Sequence, residues 1–248
     1  DGRDAALGRN GMFDSDSLAD SANPLDHPIW NALTTRQRAI AEGNGFAWRY
    51  PADIAPFAAI VDASPASFAA LEQLVSDSAR VALFTVQPVV PPDPLKIRLA
   101  KTAEQMVAMS VADTSAMAVP EPVLLRETDV PAMLELVELT KPGPFGVRTG
   151  ELGNFLGIRA DNRLVAMAGE RMKLDGFTEI TAVCTHPAYR GKGYARALLQ
   201  AVSRGIFARG ETPFLHVFSD NKSAIELYRR SGFAVRKRMH LTALGRDA

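Results

Sequence analysis

A glycine-rich turn between a strand and a helix constrains this chain more than any other feature. The segment FTEITAVCTHPAYRGKGYA occupies residues 177–195, and its first nine residues favour a strand. Pro187 cannot donate to a sheet ladder, so the predicted strand ends before it. Apolar residues then recur with helical spacing at Ala195, Leu198, Leu199, Val202 and Ile206. The sequence therefore predicts a strand, a tight turn and a helix in immediate succession.

Strict alternation along this strand predicts which side chains share a face. One face would carry Thr178, Ile180, Ala182 and Cys184. The other face would carry Glu179, Thr181, Val183 and Thr185.

The turn has the chemistry of an anion site. A helix start presents unpaired backbone N–H groups and a partial positive charge. Gly191 and Gly193 lack the Cβ atoms that would keep an anion away from these donors, and Arg190 and Lys192 add formal charge. The expected ligand is a phosphate or a pyrophosphate.

Two common phosphate motifs do not fit this turn. A P-loop requires G-x-x-x-x-G-K-[ST], and a dinucleotide fingerprint requires Gly or Ala where this chain has Arg196. The pattern [QR]-x-x-G-x-[GA] does fit, through Arg190, Gly193 and Ala195. In this respect the turn resembles the acetyl-CoA pyrophosphate loop of the GNAT superfamily of N-acyltransferases.

A second motif strengthens the resemblance. Residues 221–233, NKSAIELYRRSGF, are similar to the family signature N-x-x-A-x-x-L-Y-x-x-x-G-F, and residues 183–187, VCTHP, are similar to the end of its central strand. The resemblance covers about 123–244 and implies an α/β (α+β) fold, with a mixed, mostly antiparallel sheet flanked by helices. The expected element order is β-α-β-β-β-α-β-α-β.

The sequence divides into four expected segments. Residues 1–26 are interpreted as a flexible tail, with Met12 as one natural start, and residues 119–122 as a linker. Residues 123–248 are the expected acyltransferase domain. Residues 27–118 are expected to form a smaller α/β domain without a catalytic motif, which we interpret as a degenerate second copy of the fold. Within it, a helix is predicted from about Thr102 to Val111.

The resemblance implies that two groups of residues bind acetyl-CoA. The strand end contributes Val183, Cys184 and Thr185, whose amides face the acyl oxygen. The turn and helix start contribute Arg190, Gly191, Lys192, Gly193, Tyr194, Ala195 and Arg196. Asn221 is expected both to cap its helix and to contact the CoA arm.

The resemblance also implies catalytic roles. Tyr228 is the expected acid for the leaving thiolate, although an amphipathic core tyrosine would fit the same position. Glu179 is the first candidate base, although it lies ~13 Å along the strand from Val183 and could be a solvated strand residue. His216 on the next strand is the second candidate, because its unperturbed pKa suits a base, although a half-buried strand histidine fits equally.

Other features narrow the function. Lys+Arg and Asp+Glu number 28 each, so no bulk charge favours nucleic acid or an anionic membrane. The single cysteine, Cys184, excludes an internal disulfide and suits a cytoplasmic protein. Because it lies in an apolar strand, we interpret it as a small core residue and not as a nucleophile. His186 is expected to have no role beyond its turn, and no metal is expected.

The function expected from the resemblance is transfer of an acetyl group from acetyl-CoA to a primary amine, by direct attack in a ternary complex. The acceptor is a small molecule or a peptide, and a homodimer is possible. Two alternatives stay open. One is acylation of an amino acid, similar to glycine N-acyltransferases, and the other is an acyl-CoA-binding module without turnover.

Overall fold

The computed structural model describes residues 23–75, 80–110 and 119–246. The helices in these ranges are α1 (Pro28–Thr34), α2 (Pro65–Leu74), α3 (Val130–Thr140), α4 (Tyr194–Ala208) and α5 (Lys222–Arg230). The strands are β1 (Glu42–Gly43), β2 (Ala47–Arg49), β3 (Ala58–Ile60), β4 (Arg80–Thr85), β5 (Leu95–Ala108), β6 (Val123–Leu124), β7 (Phe155–Ala160), β8 (Arg163–Leu174), β9 (Phe177–Thr185), β10 (Thr212–Phe218) and β11 (Phe233–Arg246).

Two sheets organise these strands. The larger has eight strands in the order β4-β11-β5-β10-β9-β8-β7-β6, and the smaller is β1-β2-β3. Within the larger sheet β9 and β10 pair in parallel, and the other neighbours pair antiparallel. The expected fold class, a mixed and mostly antiparallel sheet flanked by helices, is confirmed.

Helices cover both faces of the large sheet. Helix α4 packs on β7 to β10, and its apolar side chains Leu198, Leu199, Val202 and Ile206 are buried there. Helix α3 packs on β8 and β9 from the other face, and α1 packs on β8. Burial of each apolar helix face against the sheet is the main source of stability in such an arrangement.

The helix predicted near residues 102–111 is wrong. Strand β5 runs through this segment to Ala108, between β10 and β11. Ala103 and Val107 pack into the core under α1, whereas Met106 and Ala108 pack into the core under α4. A strand that is buried on both faces shows no polar alternation, so its apolar run cannot be told from a buried helix by periodicity.

The two domains predicted from the sequence contribute strands to one sheet. Strands β4 and β5 come from the N-terminal half of the chain, yet both belong to the same sheet as β6 to β11. Residues 119–122 carry no helix or strand. The interpretation of residues 27–118 as a degenerate second copy of the fold stays a prediction.

The expected tail ends inside the fold. Residues 1–22 lie outside the described residues, but residues 24–26 form a 3-10 turn that belongs to the core. Leu25 is buried, and Asp26 is paired with Arg236 at 2.7 Å and Lys237 at 2.8 Å. The segment that begins at residue 23 is therefore docked against β11. None of the helices in the described ranges is long and apolar enough to cross a membrane.

Candidate active site

Strands β9 and β10 separate part-way along their length. Their parallel pairing covers three residue pairs and ends at Phe214 with Glu179. Beyond this point β10 continues along β5, with Leu215 to Phe218 opposite Met106 to Ala103, and β9 continues along β8. We call the opening between residues 180–185 and 215–218 the fork.

Backbone amides of β9 point into the fork. The His186 amide donates to Val165 O on β8 at 2.8 Å. Because amides alternate in direction along a strand, those of Thr185 and Val183 point away from β8, towards β10. The fork therefore presents two strand amides of the segment that the sequence predicted for the acyl oxygen.

The strand does not follow strict alternation. Ile180 and Val183 pack towards α4, whereas Ala182 and Cys184 pack towards α3. Ala182 has a φ of 52°, and the register with β8 shifts between Thr181 and Cys184, which enclose it. A bulge of this kind places two residues opposite one and turns the following side chains to the other face. The predicted grouping of Ile180 with Cys184 is therefore wrong.

The glycine turn leads into α4 as the sequence predicted. Gly191 and Gly193 have φ values of 77° and 82°, a region in which residues with a Cβ are strained. Gly193 is the N-cap residue, and no side chain caps this helix start. Arg190 and Lys192 are exposed beside it. The helix dipole, the uncapped first-turn amides and two cations together have the chemistry of an anion-binding surface.

Asn221 caps α5. Its side-chain oxygen accepts from the Ala224 amide at 3.1 Å, which confirms the capping half of the prediction. The cap fixes the start of α5 directly after β10, and the exposed Asn221 side chain lies at the fork end of that strand. Similarly, His186 accepts from the Ala188 amide at 3.2 Å and begins a 3-10 turn.

Tyr228 lies on α5, against the core under α4 and beside Phe233. Burial, with a smaller contribution from the nearby Cys184, raises the pKa of Tyr228 to about 12. The phenol therefore stays protonated at neutral pH.

Burial likewise raises the pKa of the Cys184 thiol to about 11. The thiol is therefore neutral at pH 7, which suits the role of a small core residue that was inferred from the sequence.

Glu179 is fully buried and fully paired. Its Oε2 accepts from Arg171 Nε at 2.7 Å, and its Oε1 accepts from Arg171 Nη2 at 2.8 Å. Burial alone would raise the pKa of this carboxyl, but Arg171 and His216 outweigh it and hold the pKa at about 2. A carboxylate with so low a pKa is a weak base, and it has no open path to an amine. The geometry favours a structural role for Glu179.

His216 is buried in the same network. Its Nδ1 lies 2.8 Å from Glu179 Oε1, and its Nε2 lies 3.2 Å from Gln105 Nε2. Its ring stacks on Phe84 with centroids 4.2 Å apart. Only 3% of the His216 side chain is exposed, so the geometry favours a structural role here as well. The structure thus brings both candidate bases together, at the apex of the fork and away from solvent.

Sequence reasoning missed the partners of this network. Neither Arg171 nor Gln105 was predicted from the sequence to take part in the site. Gln105 is 111 positions from His216 in the chain, and only the placement of β5 beside β10 brings them together. No local signal in the sequence marks such a contact.

We expect the contribution of the buried Glu179 carboxylate to the free energy of unfolding to decrease at acidic pH. Because its folded-state pKa lies below the ordinary 4.5, its stabilising contribution is complete above about pH 5 and is lost as the pH falls towards 2. Glu179→Gln should cost ~3 kcal/mol in the free energy of unfolding at pH 7, and this difference from wild type should shrink at pH 4 and 3. Urea unfolding at each pH measures it.

An exposed pair provides the control for that series. Glu226 pairs with Arg230 on the surface of α5, and Glu226→Gln should change the free energy of unfolding by less than ~1 kcal/mol at every pH. A Glu179→Gln difference that stays constant from pH 7 to pH 3 would contradict the depressed pKa.

Comparison with known proteins identifies the family of this chain. A family model described as FR47-like protein matches residues 155–241. The crystal structure of a putative acetyltransferase from the GNAT family of Novosphingobium aromaticivorans is 39% identical, with a TM-score of 0.84. The match covers 91% of this chain and 100% of that chain. The chain belongs to the GNAT family.

Other relatives agree with the GNAT assignment. The N-alpha-acetyltransferase RimI of Mycobacterium tuberculosis is 37% identical over 83 residues, which are 32% of this chain. A GCN5-related N-acetyltransferase from Kribbella flavida, 15% identical with a TM-score of 0.62, covers 89% of this chain and 96% of its own and shares the fold. The chain spans about half or less of the curated relatives it matches, 51% of RimI and 27% of uncharacterized protein ML0378 of Mycobacterium leprae.

The GNAT assignment confirms the resemblance inferred from the two motifs. The matched range 155–241 begins at β7 and includes the glycine turn, the fork and α5. GNAT acetyltransferases use acetyl-CoA, and the anion-binding surface at α4 has the chemistry for its diphosphate. Among the described residues, no group of three or more His, Cys, Asp or Glu side chains is placed to hold a metal ion.

Proposed function

We propose that this protein is an N-acetyltransferase that moves an acetyl group from acetyl-CoA to a primary amine in a ternary complex. The observation that carries the proposal is the fork between β9 and β10, with an uncapped glycine turn at one side and Tyr228 on α5 at the other. We propose that the donor binds at the glycine turn and that Tyr228 protonates the leaving group at the same opening.

The cofactor-binding residues fit acetyl-CoA in their chemistry. The amides that begin α4, with Arg190 and Lys192, suit a diphosphate. The Thr185 hydroxyl is buried, with no hydrogen-bond partner among the described residues, at the strand end where the acyl group would lie. An orphaned buried hydroxyl is costly unless a ligand satisfies it. Asn221 is proposed to contact the CoA arm in addition to its capping bond.

The reaction needs few groups from the protein. A neutral amine attacks the thioester carbonyl, the C–N bond forms, and the carbonyl oxygen takes charge that the amides of Val183 and Thr185 stabilise. The C–S bond then breaks, Tyr228 donates its proton to the thiolate, and the new amide releases a proton from nitrogen to water. Glu179 and His216 are not assigned as the base, because their polar atoms are engaged and buried.

The acceptor pocket is proposed to form between the loop at 141–153 and the N-terminal half. Arg148 donates its amide to Asp53 O at 3.1 Å and pairs with the Asp53 carboxylate at 3.2 Å. The Thr149 hydroxyl donates to Ile54 O. These bonds dock the loop against residues 53–54, so both halves of the chain would shape the pocket.

The relative named N-alpha-acetyltransferase favours an α-amine of a peptide as the acceptor class, with small amines as the alternative. We expect thiol release from acetyl-CoA to rise at least tenfold above hydrolysis with one member of a panel. The panel contains short peptides with free N-termini, the same peptides N-blocked, polyamines and glycine. Tight CoA binding with no release for any amine would instead favour a binding module without turnover.

Binding of CoA itself is tested at the turn. Gly193→Glu introduces a Cβ at a φ of 82° and a negative charge at the diphosphate surface, so we expect CoA affinity to fall by ~100-fold or more. Isothermal titration with CoA measures it.

The control for this titration lies on the same helix. Gly205 is exposed on α4, and an added Cβ there meets only the tip of Arg209 at 4.0 Å. Gly205→Glu should leave CoA affinity within about threefold. If wild type and Gly193→Glu bind CoA with equal affinity, the proposal that the turn binds the diphosphate is wrong.

A further inference from the structure

A buried hydrogen bond crosses the apex of the fork. Glu179 is the last β9 residue paired with β10, and His216 lies two residues beyond Phe214, its partner. Because β9 and β10 diverge here, a side-chain contact at this point bridges two strands that no longer share a backbone ladder. The bridge is His216 Nδ1 to Glu179 Oε1 at 2.8 Å.

Neighbouring contacts settle how the bridge is protonated. Gln105 Oε1 accepts from Arg236 at 2.8 Å, which identifies the other amide atom as nitrogen. That nitrogen donates to Leu25 O at 2.8 Å and to His216 Nε2 at 3.2 Å. Since an amide nitrogen only donates, His216 Nε2 accepts, and the ring proton sits on Nδ1 facing Glu179. His216 Nδ1 thus donates to Glu179, and Arg171 balances the negative charge of that carboxylate.

The bridge is held from several sides. Arg171 on β8 grips both oxygens of Glu179 and stacks on Phe57, with its guanidinium carbon 4.5 Å from the ring centroid. Phe84 stacks on His216. The N-terminal half thus supplies Phe57, Phe84 and Gln105, which surround two residues of the C-terminal half.

We propose that Glu179 and His216 are positioning residues that set the opening of the fork. The inference rests on the proposed function, because the opening places the amides of Val183 and Thr185 relative to β10, and β10 leads directly into α5 with Tyr228. A misplacement of ~1 Å between reacting groups can cost ~10²-fold in rate. The bridge therefore acts on the rate of transfer through geometry and not through proton transfer.

Two replacements of His216 in the full chain separate the effect of its hydrogen bond to Glu179 from the effect of its ring packing on Phe84. His216→Phe keeps a ring to stack on Phe84 but removes the donor to Glu179. His216→Asn keeps an N–H donor near the position of Nδ1 and removes the ring. We expect His216→Phe to lower kcat ~10- to 100-fold with KM for acetyl-CoA within about threefold, and His216→Asn to keep kcat within about fivefold of wild type.

The pH profile separates positioning from base catalysis. If the bridge positions the fork, the kcat/KM profile of His216→Phe keeps its shape and shifts downward. Loss of the acidic limb would identify the network as the base and overturn the proposal. Equal losses of kcat in both variants, following their melting temperatures, would also overturn it, because that pattern reflects stability alone.

Hydrogen exchange gives a readout that needs no turnover. Peptides that cover residues 183–185 and 215–218 should exchange at least fivefold faster in His216→Phe, while a peptide covering 155–160 in β7 stays unchanged. Unchanged exchange at the fork would overturn the proposal even in an active enzyme. If wild type neither binds CoA nor transfers acetyl groups, the proposed function fails, and exchange at the fork still decides whether the bridge sets it.

Discussion

Replacing Tyr228 with phenylalanine is expected to lower kcat for thiol release by ~10²- to 10³-fold, with CoA affinity within about threefold of wild type. The change removes one hydroxyl and keeps the ring that packs against the core under α4. General acid catalysis contributes ~10²- to 10⁴-fold, and a phenol with a pKa raised to about 12 is protonated over the working range. Steady-state kinetics beside isothermal titration with CoA separates the two effects.

Tyr189→Phe is the matched control. Tyr189 lies in the turn before Arg190, and its hydroxyl reaches only Asp161 at 3.4 Å on the surface. The same chemical change there should alter kcat less than threefold. Comparable losses in both variants would show that the Tyr228 hydroxyl is not the acid.

The second prediction with a large expected effect concerns whether the C-terminal part of the chain can fold alone. A fragment of residues 119–248 contains both motifs and the whole range matched by the family model, yet it is expected not to fold. It lacks β5, which pairs with β10 on one side and with β11 on the other along most of their length. Two strands would lose their shared neighbour, and apolar residues such as Phe214 and Met239 would lose the core under α1. Exposed edges and apolar faces of this kind promote aggregation.

Expression of matched fragments tests this expectation. The 119–248 fragment should appear in inclusion bodies or as a soluble aggregate by size-exclusion chromatography. A fragment of residues 23–248 keeps every described strand and should unfold within ~3 °C of the full chain. A monomeric 119–248 fragment that unfolds cooperatively and binds CoA would contradict the shared-sheet interpretation.

Features that depend on neighbouring residues, such as turns and helix caps, could be predicted from the sequence. The glycine turn and the cap at Asn221 depend on residues within a few positions of one another. Positive φ values and unpaired helix amides impose residue types directly, so their signatures are specific. The two motifs, each of this local kind, were sufficient to indicate the family.

The bulge in β9 and the surroundings of Glu179 could not be predicted, because they depend on residues far apart in the sequence. The bulge at Ala182 depends on how β9 meets β8, and it reversed the expected faces of the strand. Glu179 looked like a base because its position on the strand matches the family, but its environment comes from Arg171, His216 and the N-terminal half. The character of a carboxylate is set by its surroundings in three dimensions, and these surroundings lie far away in sequence.

The insertion of β5 between β10 and β11 has a consequence for biosynthesis. The Arg238–Glu104 contact joins residues 134 positions apart, so β5 leaves the ribosome long before either neighbour exists. Chains dominated by such distant pairings fold slowly, on the scale of milliseconds to seconds. Until β10 and β11 have been synthesised, β5 lacks both of its native neighbours, and its apolar residues Met106 and Val107 lack their native packing. We therefore expect the nascent chain to bind chaperones that shield unfinished chains.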